Sequence, residues 1–257
     1  MSEKSPVYVG IDLLRSAGRQ SRAYIYAALD EARELIALGT GDRDEVLAYL
    51  GGQAAAHVAI AAARFPNTGR VNDPKAYPDG QAPPKHRVNA RLCEFLLQQK
   101  GLSIESTPDK VKQCPVRSQK GFELFRKLAA FGYSPYPNPQ SDLLLLETHT
   151  EGIFWRWLDG KHTLPDSLEG RIQRQLILFD QKLPVPDAMD FFLEVTRYKL
   201  IQGDLPDQDI LPFDELNALA AAQIAWLAAQ HPDRIDLIGD PDEGRIALPR
   251  MIIRTSL

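Results

Sequence analysis

The sequence predicts an α/β domain in three layers, a mixed sheet with helices on both faces. Three observations point there. Near the N-terminus three strand-like runs follow one another over short links, as in an antiparallel meander. Further on, apolar runs of strand length alternate with helical patterns. The composition, 257 residues with 44% hydrophobic and 25% charged side chains, is that of a soluble globular chain able to bury a core.

The elements read in order as follows. Residues 7–12 (VYVGID) form a short apolar strand closed by an acid. Residues 22–29 form a second strand, in which Ala23, Ile25 and Ala27 alternate with Tyr24, Tyr26 and Ala28. Residues 34–38 form a third, closed by Gly39-Thr40-Gly41. Residues 42–50 form a helix with Val46, Leu47 and Leu50 on one face, stopped by Gly51-Gly52. Residues 57–63 (HVAIAAA) form a small-residue strand. Residues 64–88 form a proline-rich insertion loop; loops this long inside a domain are often functional. Between Arg64 and Arg91 the chain has six Lys/Arg against Asp73 and Asp79, which suits a solvated loop or a flap facing phosphate.

Helices follow over residues 89–99 and 120–131, the second with an apolar stripe of Phe122, Phe125, Leu128 and Ala129. A proline-rich link spans 133–139, and residues 142–148 (DLLLLET) form a strand. Helical segments cover roughly 150–158, 168–179 and 187–201, and a long Ala-rich helix covers 213–230. Two late strands, 235–238 and 245–248, flank a turn-rich Gly-Asp-Pro-Asp-Glu-Gly. The whole reads as one domain over 1–257.

Charge and motifs narrow the function. The net charge is −4, which argues against a strongly basic nucleic-acid coat. The halves differ: residues 1–130 carry 19 Lys/Arg against 14 Asp/Glu, and residues 131–257 carry 11 against 20. No apolar run approaches the ~20 residues of a membrane span, and the N-terminal Met-Ser-Glu-Lys-Ser-Pro has no signal-like apolar core, so the expected location is cytoplasmic, away from membranes. Two cysteines, Cys93 and Cys114, make neither a disulfide scaffold nor a zinc cluster. The chain has no Walker, Rossmann, nucleophile-elbow or zincin motif.

Acids at strand ends are the candidate chemistry. Asp12 closes the first strand, Glu147 closes the strand after the proline link, and Asp214 and Glu215 open the Ala-rich helix. Such carboxylates are ligands for Mg²⁺ or Mn²⁺, and paired metals activate water against a phosphodiester. His149, two residues from Glu147 in an extended stretch, points to the same side and could protonate a leaving group. Arg91 and Arg64 are candidates for binding phosphate. Thr148 and Glu151 have the spacing of a capping box for the next helix, which favours a structural role for Glu151.

The order of pieces resembles a domain-of-unknown-function family of predicted RNase H-like nucleases. Val9-Gly10-Ile11-Asp12 resembles its opening Gly-Ile-Asp strand, and Val58-Ala59-Ile60-Ala61-Ala62-Ala63 falls where it has Val-Ala-Ile-Asp-Ala-Pro. Arg91-Leu92-Cys93-Glu94 resembles its Arg-x-Cys-Asp/Glu helix start. Thr107-Pro108 and Gly121-Phe122-Glu123-Leu124 resemble its Thr-Pro and following helix. Leu146 to Glu151 resemble its Glu-x-His/Tyr-Pro-Glu element, Asp214 to Ala221 its Asp-rich last helix, and Gly239 to Ile246 its closing Gly-Asp-x-x-Glu-Gly-x-Ile. The resemblance implies an RNase H-like fold with about five strands. It also implies metal-dependent hydrolysis of nucleic acid, with Asp12, Glu147, Asp214 and Glu215 as metal ligands. The chain departs from that pattern at Ala61, at Asn217 and at Thr150, which stand where the family has Asp, Asp and Pro. Losing two carboxylates weakens divalent-metal binding, so the alternative expectation is a degenerate module that binds a nucleotide or nucleic acid without cutting it.

Overall fold

The computed structural model describes residues 5–14, 23–77 and 82–251. One sheet runs through it, built from β1 (Val7–Leu13), β2 (Tyr24–Leu29), β3 (Leu35–Gly41), β4 (Ala56–Ile60), β5 (Ser134–Pro135), β6 (Leu143–Thr148), β7 (Ile235–Asp240) and β8 (Gly244–Pro249). The strand order is β3-β2-β1-β4-β6-β8-β7, with β5 beside β6 off that path. The β1–β2, β2–β3 and β7–β8 pairs are antiparallel, whereas β1–β4, β4–β6 and β6–β8 are parallel. The helices are α1 (Arg43–Gly51), α2 (Leu92–Gln99), α3 (Val116–Ala130), α4 (Thr150–Trp157), α5 (Leu168–Asp180), α6 (Asp190–Glu194), α7 (Arg197–Gln202) and α8 (Phe213–Gln230). Among the described residues no helix is long and apolar enough to cross a membrane.

Alternation along the strands divides the core in two. Val9, Ile11, Leu13, Val58, Ile60 and Leu145 pack with Val46, Leu50, Leu124 and Leu128 of α1 and α3. Tyr8, Ile25, Ala27, Ala59 and Leu146 pack with α4, α5 and α8 on the other face. Helix α8 lies across β1, β2 and β4. Its approach is backbone to backbone: a Cβ on Gly10 would sit 2.1 Å from the Ala218 carbonyl oxygen and 2.1 Å from the Ala222 nitrogen. The Ala-rich surface of α8 and the glycine of β1 are therefore one feature, a contact that only small residues permit.

The mixed α/β architecture follows the sequence expectation, and the strand number corrects it. The sheet has eight strands rather than about five. All seven strand-like runs enter it, and β5 adds a two-residue pairing inside the proline-rich link, too short to leave a pattern. Gly39-Thr40-Gly41, expected to close the third strand, continues β3 by pairing with β2 from Tyr24 to Tyr26. The small-residue strand ends at Ile60, so Ala61 to Ala63 lie beyond it.

Helix α3 begins at Val116, four residues before the expected start, because Pro115 occupies its N-cap and its first turn is polar rather than apolar. The expected helix over 187–201 is two short helices broken at Val195. Arg22 of the expected second strand, and Pro78, Asp79 and Gly80 of the proline-rich loop, lie outside the described residues. The rest of that loop is tied down: the Asn72 side chain bonds both ways with Val88, at 2.9 and 3.0 Å, and Asn67 bonds Asn89.

Candidate functional site

The parallel strands β1, β4 and β6 end on one edge of the sheet, where ligands of open α/β sheets bind. A cleft of about 410 Å³ opens there, lined among others by Ala61, Arg91, Arg117, Glu147, His149 and Asn217. The sheet register sets which side chains meet. Ile11, Ile60 and Glu147 stand in one row across β1, β4 and β6, so Glu147 leaves the sheet on the α1/α3 face with Ile11 and Ile60. Asp12 is one residue further along β1 and leaves on the face that α8 covers.

Asp12 is buried and fully engaged. Its Oδ1 accepts from its neighbour Leu13 N–H at 2.7 Å and from the Arg117 guanidinium; its Oδ2 accepts from Asn217 Nδ2 at 2.9 Å. Asn217 in turn accepts from Arg174 at 2.8 Å, and Arg174 also pairs with Glu151. Arg174 lies over Phe154 and Phe213, 4.3 and 4.9 Å from their ring centres, so its charge is screened by aromatic faces and paired at the same time.

Glu147 belongs to a second network. Arg91, 2% exposed, grips both carboxylate oxygens, Nη1 at 2.8 Å from Oε2 and Nη2 on Oε1. Its Nε donates to Glu94 at 2.7 Å, and Glu94 also receives the Thr107 hydroxyl and N–H. The Arg64 N–H reaches Glu147 Oε2 at 3.0 Å, while the Arg64 guanidinium stacks 4.5 Å from the Phe65 ring centre. Glu243 is buried below, accepting from Thr68 and, at 2.6 Å, from Leu92 N–H. A Cβ on Gly244, at φ +125°, would stand 3.0 Å from Glu147 Oε2, so this glycine leaves room for the Arg91–Glu147 pair.

His149, not Thr148, caps α4: its Nδ1 accepts from Gly152 N–H at 3.0 Å. That corrects the expected Thr148–Glu151 capping box. Burial, with the Arg117 and Arg91 charges behind it, pushes the His149 pKa down to about 3. The ring is therefore neutral near pH 7, and because Nδ1 is an acceptor its proton sits on Nε2. It can donate a hydrogen bond into the cleft but carries no charge.

No family model, curated protein or solved structure matches this chain.

Among the expected site residues, Glu147, His149 and Arg91 line one cleft, with Asp12 directly behind Arg117 and Asn217. Asp214 and Glu215 lie in the first turn of α8 and outside the cleft lining; burial raises the Glu215 pKa. Arg64 lines the adjoining cavity, of about 350 Å³, which shares Glu147 with the cleft. Cys93 is buried and packs within the apolar core. Among the described residues no group of three or more His, Cys, Asp or Glu is placed to hold a metal ion. Asp12 and Glu147 leave opposite faces of the sheet, each is engaged by an arginine, and Ala61 follows directly after the Ile60 of β4 that pairs with Ile11.

Arg117 and Arg174 escape a sequence reading, and Glu243 enters it only as the acid of the closing Gly-Asp-x-x-Glu-Gly-x-Ile pattern. Arg117 sits in a polar first turn whose helical period is hidden, and its partner is 105 residues away. The usable signals are Pro115 just before the helix and Gly121 within it. A Cβ on Gly121 would lie 2.6 Å from Ala62 Cβ, so this glycine and the alanine run let α3 approach the end of β4.

Proposed function

We propose that this chain is an RNase H-like domain whose cleft binds a nucleotide or nucleic acid by its phosphate and does not hydrolyse it. The observation that carries the reading is the engagement of the acids. Asp12 is held by Arg117 and Asn217, and Glu147 by Arg91, so the oxygens that Mg²⁺ or Mn²⁺ would take are already occupied by protein donors. An antiparallel trio of strands continued by parallel ones, with helices on both faces, supports the fold assignment.

Phosphate is the favoured ligand group for three reasons. The N-terminal turns of α3 and α4 reach the cleft through Ser118 and Thr150, and helix N-termini favour anions. The Arg117 side chain is 37% exposed and so meets solvent in the cleft. The neutral His149 ring offers an Nε2–H donor without the cost of burying a further charge.

The test is fluorescence anisotropy of labelled single-stranded DNA and RNA, with EDTA and then with Mn²⁺, across a salt series. Binding in EDTA that weakens steeply with salt supports the reading. Absence of binding to either strand and to nucleoside triphosphates overturns it. So does Mn²⁺-dependent cleavage that Asp12→Ala abolishes, which would make the protein a nuclease.

A further inference from the structure

The Arg117 guanidinium fills a space ringed by oxygens. Its Nη2 donates to Asp12 Oδ1 and, at 2.9 Å, to the Ala61 carbonyl; its Nη1 donates to the Leu13 carbonyl at 3.2 Å. One carboxylate and two peptide carbonyls around a single positive group are the ligand chemistry of a hard divalent cation, which takes oxygens only and completes its shell with water. The second carboxylate oxygen is kept out of this ring by Asn217.

The cradle does not depend on the arginine. Its oxygens come from the ends of β1 and β4, which the sheet holds in parallel register, and Ala61 N–H bonds the Ile11 carbonyl at 2.8 Å. Arg117 reaches it from α3 on a long stem, while α3 is anchored separately at Gly121, against Ala62 and Ala63. Removing the guanidinium would therefore take away a cation and leave the oxygens in place.

We propose that Arg117 is a built-in substitute for a divalent cation: Asp12 Oδ1, Leu13 O and Ala61 O form a latent Mg²⁺/Mn²⁺ site, and the guanidinium competes with the metal for it. This goes beyond the phosphate-binding reading and does not require it. A protein that binds no oligonucleotide would still hold this site, so the two can fail separately.

The experiment is a Mn²⁺ titration, by calorimetry and by the electron paramagnetic resonance of free Mn²⁺, without any nucleic acid. Arg117→Met removes the charge and keeps much of the volume. It is expected to bind one Mn²⁺ at least about tenfold more tightly than the wild type, a difference of about 1.4 kcal/mol. Arg117→Lys, which keeps a cation in place, is expected to show no gain. Adding Asp12→Asn to Arg117→Met is expected to abolish the gain. A folded Arg117→Met protein that binds Mn²⁺ no better than the wild type overturns the proposal, as does a gain that survives Asp12→Asn. Should the Met variant fail to fold, Arg117→Gln carries the same comparison with a polar side chain, and equal wild-type and Gln affinities overturn it equally.

Discussion

Asp12 and Glu147 sit at the same end of the sheet and leave it on opposite faces. Asp12 turns towards Asn217 of α8, and Glu147, in register with Ile60, turns towards the face of α3. Each acid has its own arginine, Arg117 or Arg91. What resembles an acid cluster along the sequence is, in space, two separate ion-pair networks that meet at one cleft.

The Arg91–Glu147 pair is the more buried, with both side chains only 2–3% exposed. Removing Arg91 leaves two interior carboxylates, Glu147 and Glu94, without their shared counter-charge. Arg91→Met is expected to cost about 3–5 kcal/mol in urea unfolding. Adding Glu147→Leu is expected to restore part of that loss, because one of the two uncompensated charges goes with it and only Glu94 remains. A double variant that loses the sum of both single changes would show that the two side chains act independently.

Gly10 tests the α8 contact. An added methyl would meet the Ala218 carbonyl and the Ala222 nitrogen at 2.1 Å, and these are backbone atoms of a packed helix that cannot rotate away. Gly10→Ala is expected to destabilise by about 3 kcal/mol, at the upper end for overpacking. It should also disturb the neighbouring Asn217–Asp12 bond, visible as a shift of the Asn217 side-chain amide in NMR spectra. A variant with wild-type stability and an unmoved amide signal would contradict this packing.

These two contacts also show what the sequence makes legible. The strands are readable because apolar residues alternate over each run, and Asp12 and Glu147 stand out as acids that end apolar strands. The partners of those acids are not readable. Arg117 and Arg174 are brought in by helices whose register depends on tertiary packing, and Asn217 looks like a lost carboxylate until α8 is placed on Gly10. The start of α3 is hidden because Arg117-Ser118-Gln119-Lys120 has no apolar period, and β5 because two residues cannot show one. The opposite exits of Asp12 and Glu147 follow from strand register, which no local pattern encodes.

Asn217 gives a third prediction. Its amide donates to Asp12 and its oxygen accepts from Arg174, both near 2.9 Å, so the two ends are not interchangeable. Asn217→Asp keeps the acceptor, loses the donor and sets two carboxylates against each other. The variant is expected to lose about 1–3 kcal/mol at pH 7. One acid of the pair takes a raised pKa in the folded state. The deficit should therefore shrink as pH falls through that raised value, since a shared proton then bridges the oxygens. Unfolding measured at pH 7 and pH 5 checks this, and a deficit that is the same at both would refute it.

His149 sets a pH dependence of the opposite sign. Its folded pKa is pushed down to about 3, from a model-peptide value of 6.5, chiefly by burial and then by the charges of Arg117 and Arg91. Below 6.5 the unfolded chain takes up a proton that the folded chain refuses, so the unfolded state is favoured as pH drops. The stability that neutral His149 contributes is complete above 6.5 and is lost progressively down to about 3. Over the middle of that window the slope approaches about 1.4 kcal/mol per pH unit. His149→Asn isolates the effect, because an asparagine oxygen can still cap Gly152 N–H and does not titrate. The difference in unfolding free energy between wild type and His149→Asn should therefore move in favour of the variant as pH falls from 7 to 5. Parallel stability curves over that range would mean that His149 takes up its proton in the folded protein and that the cleft can hold a cationic ring.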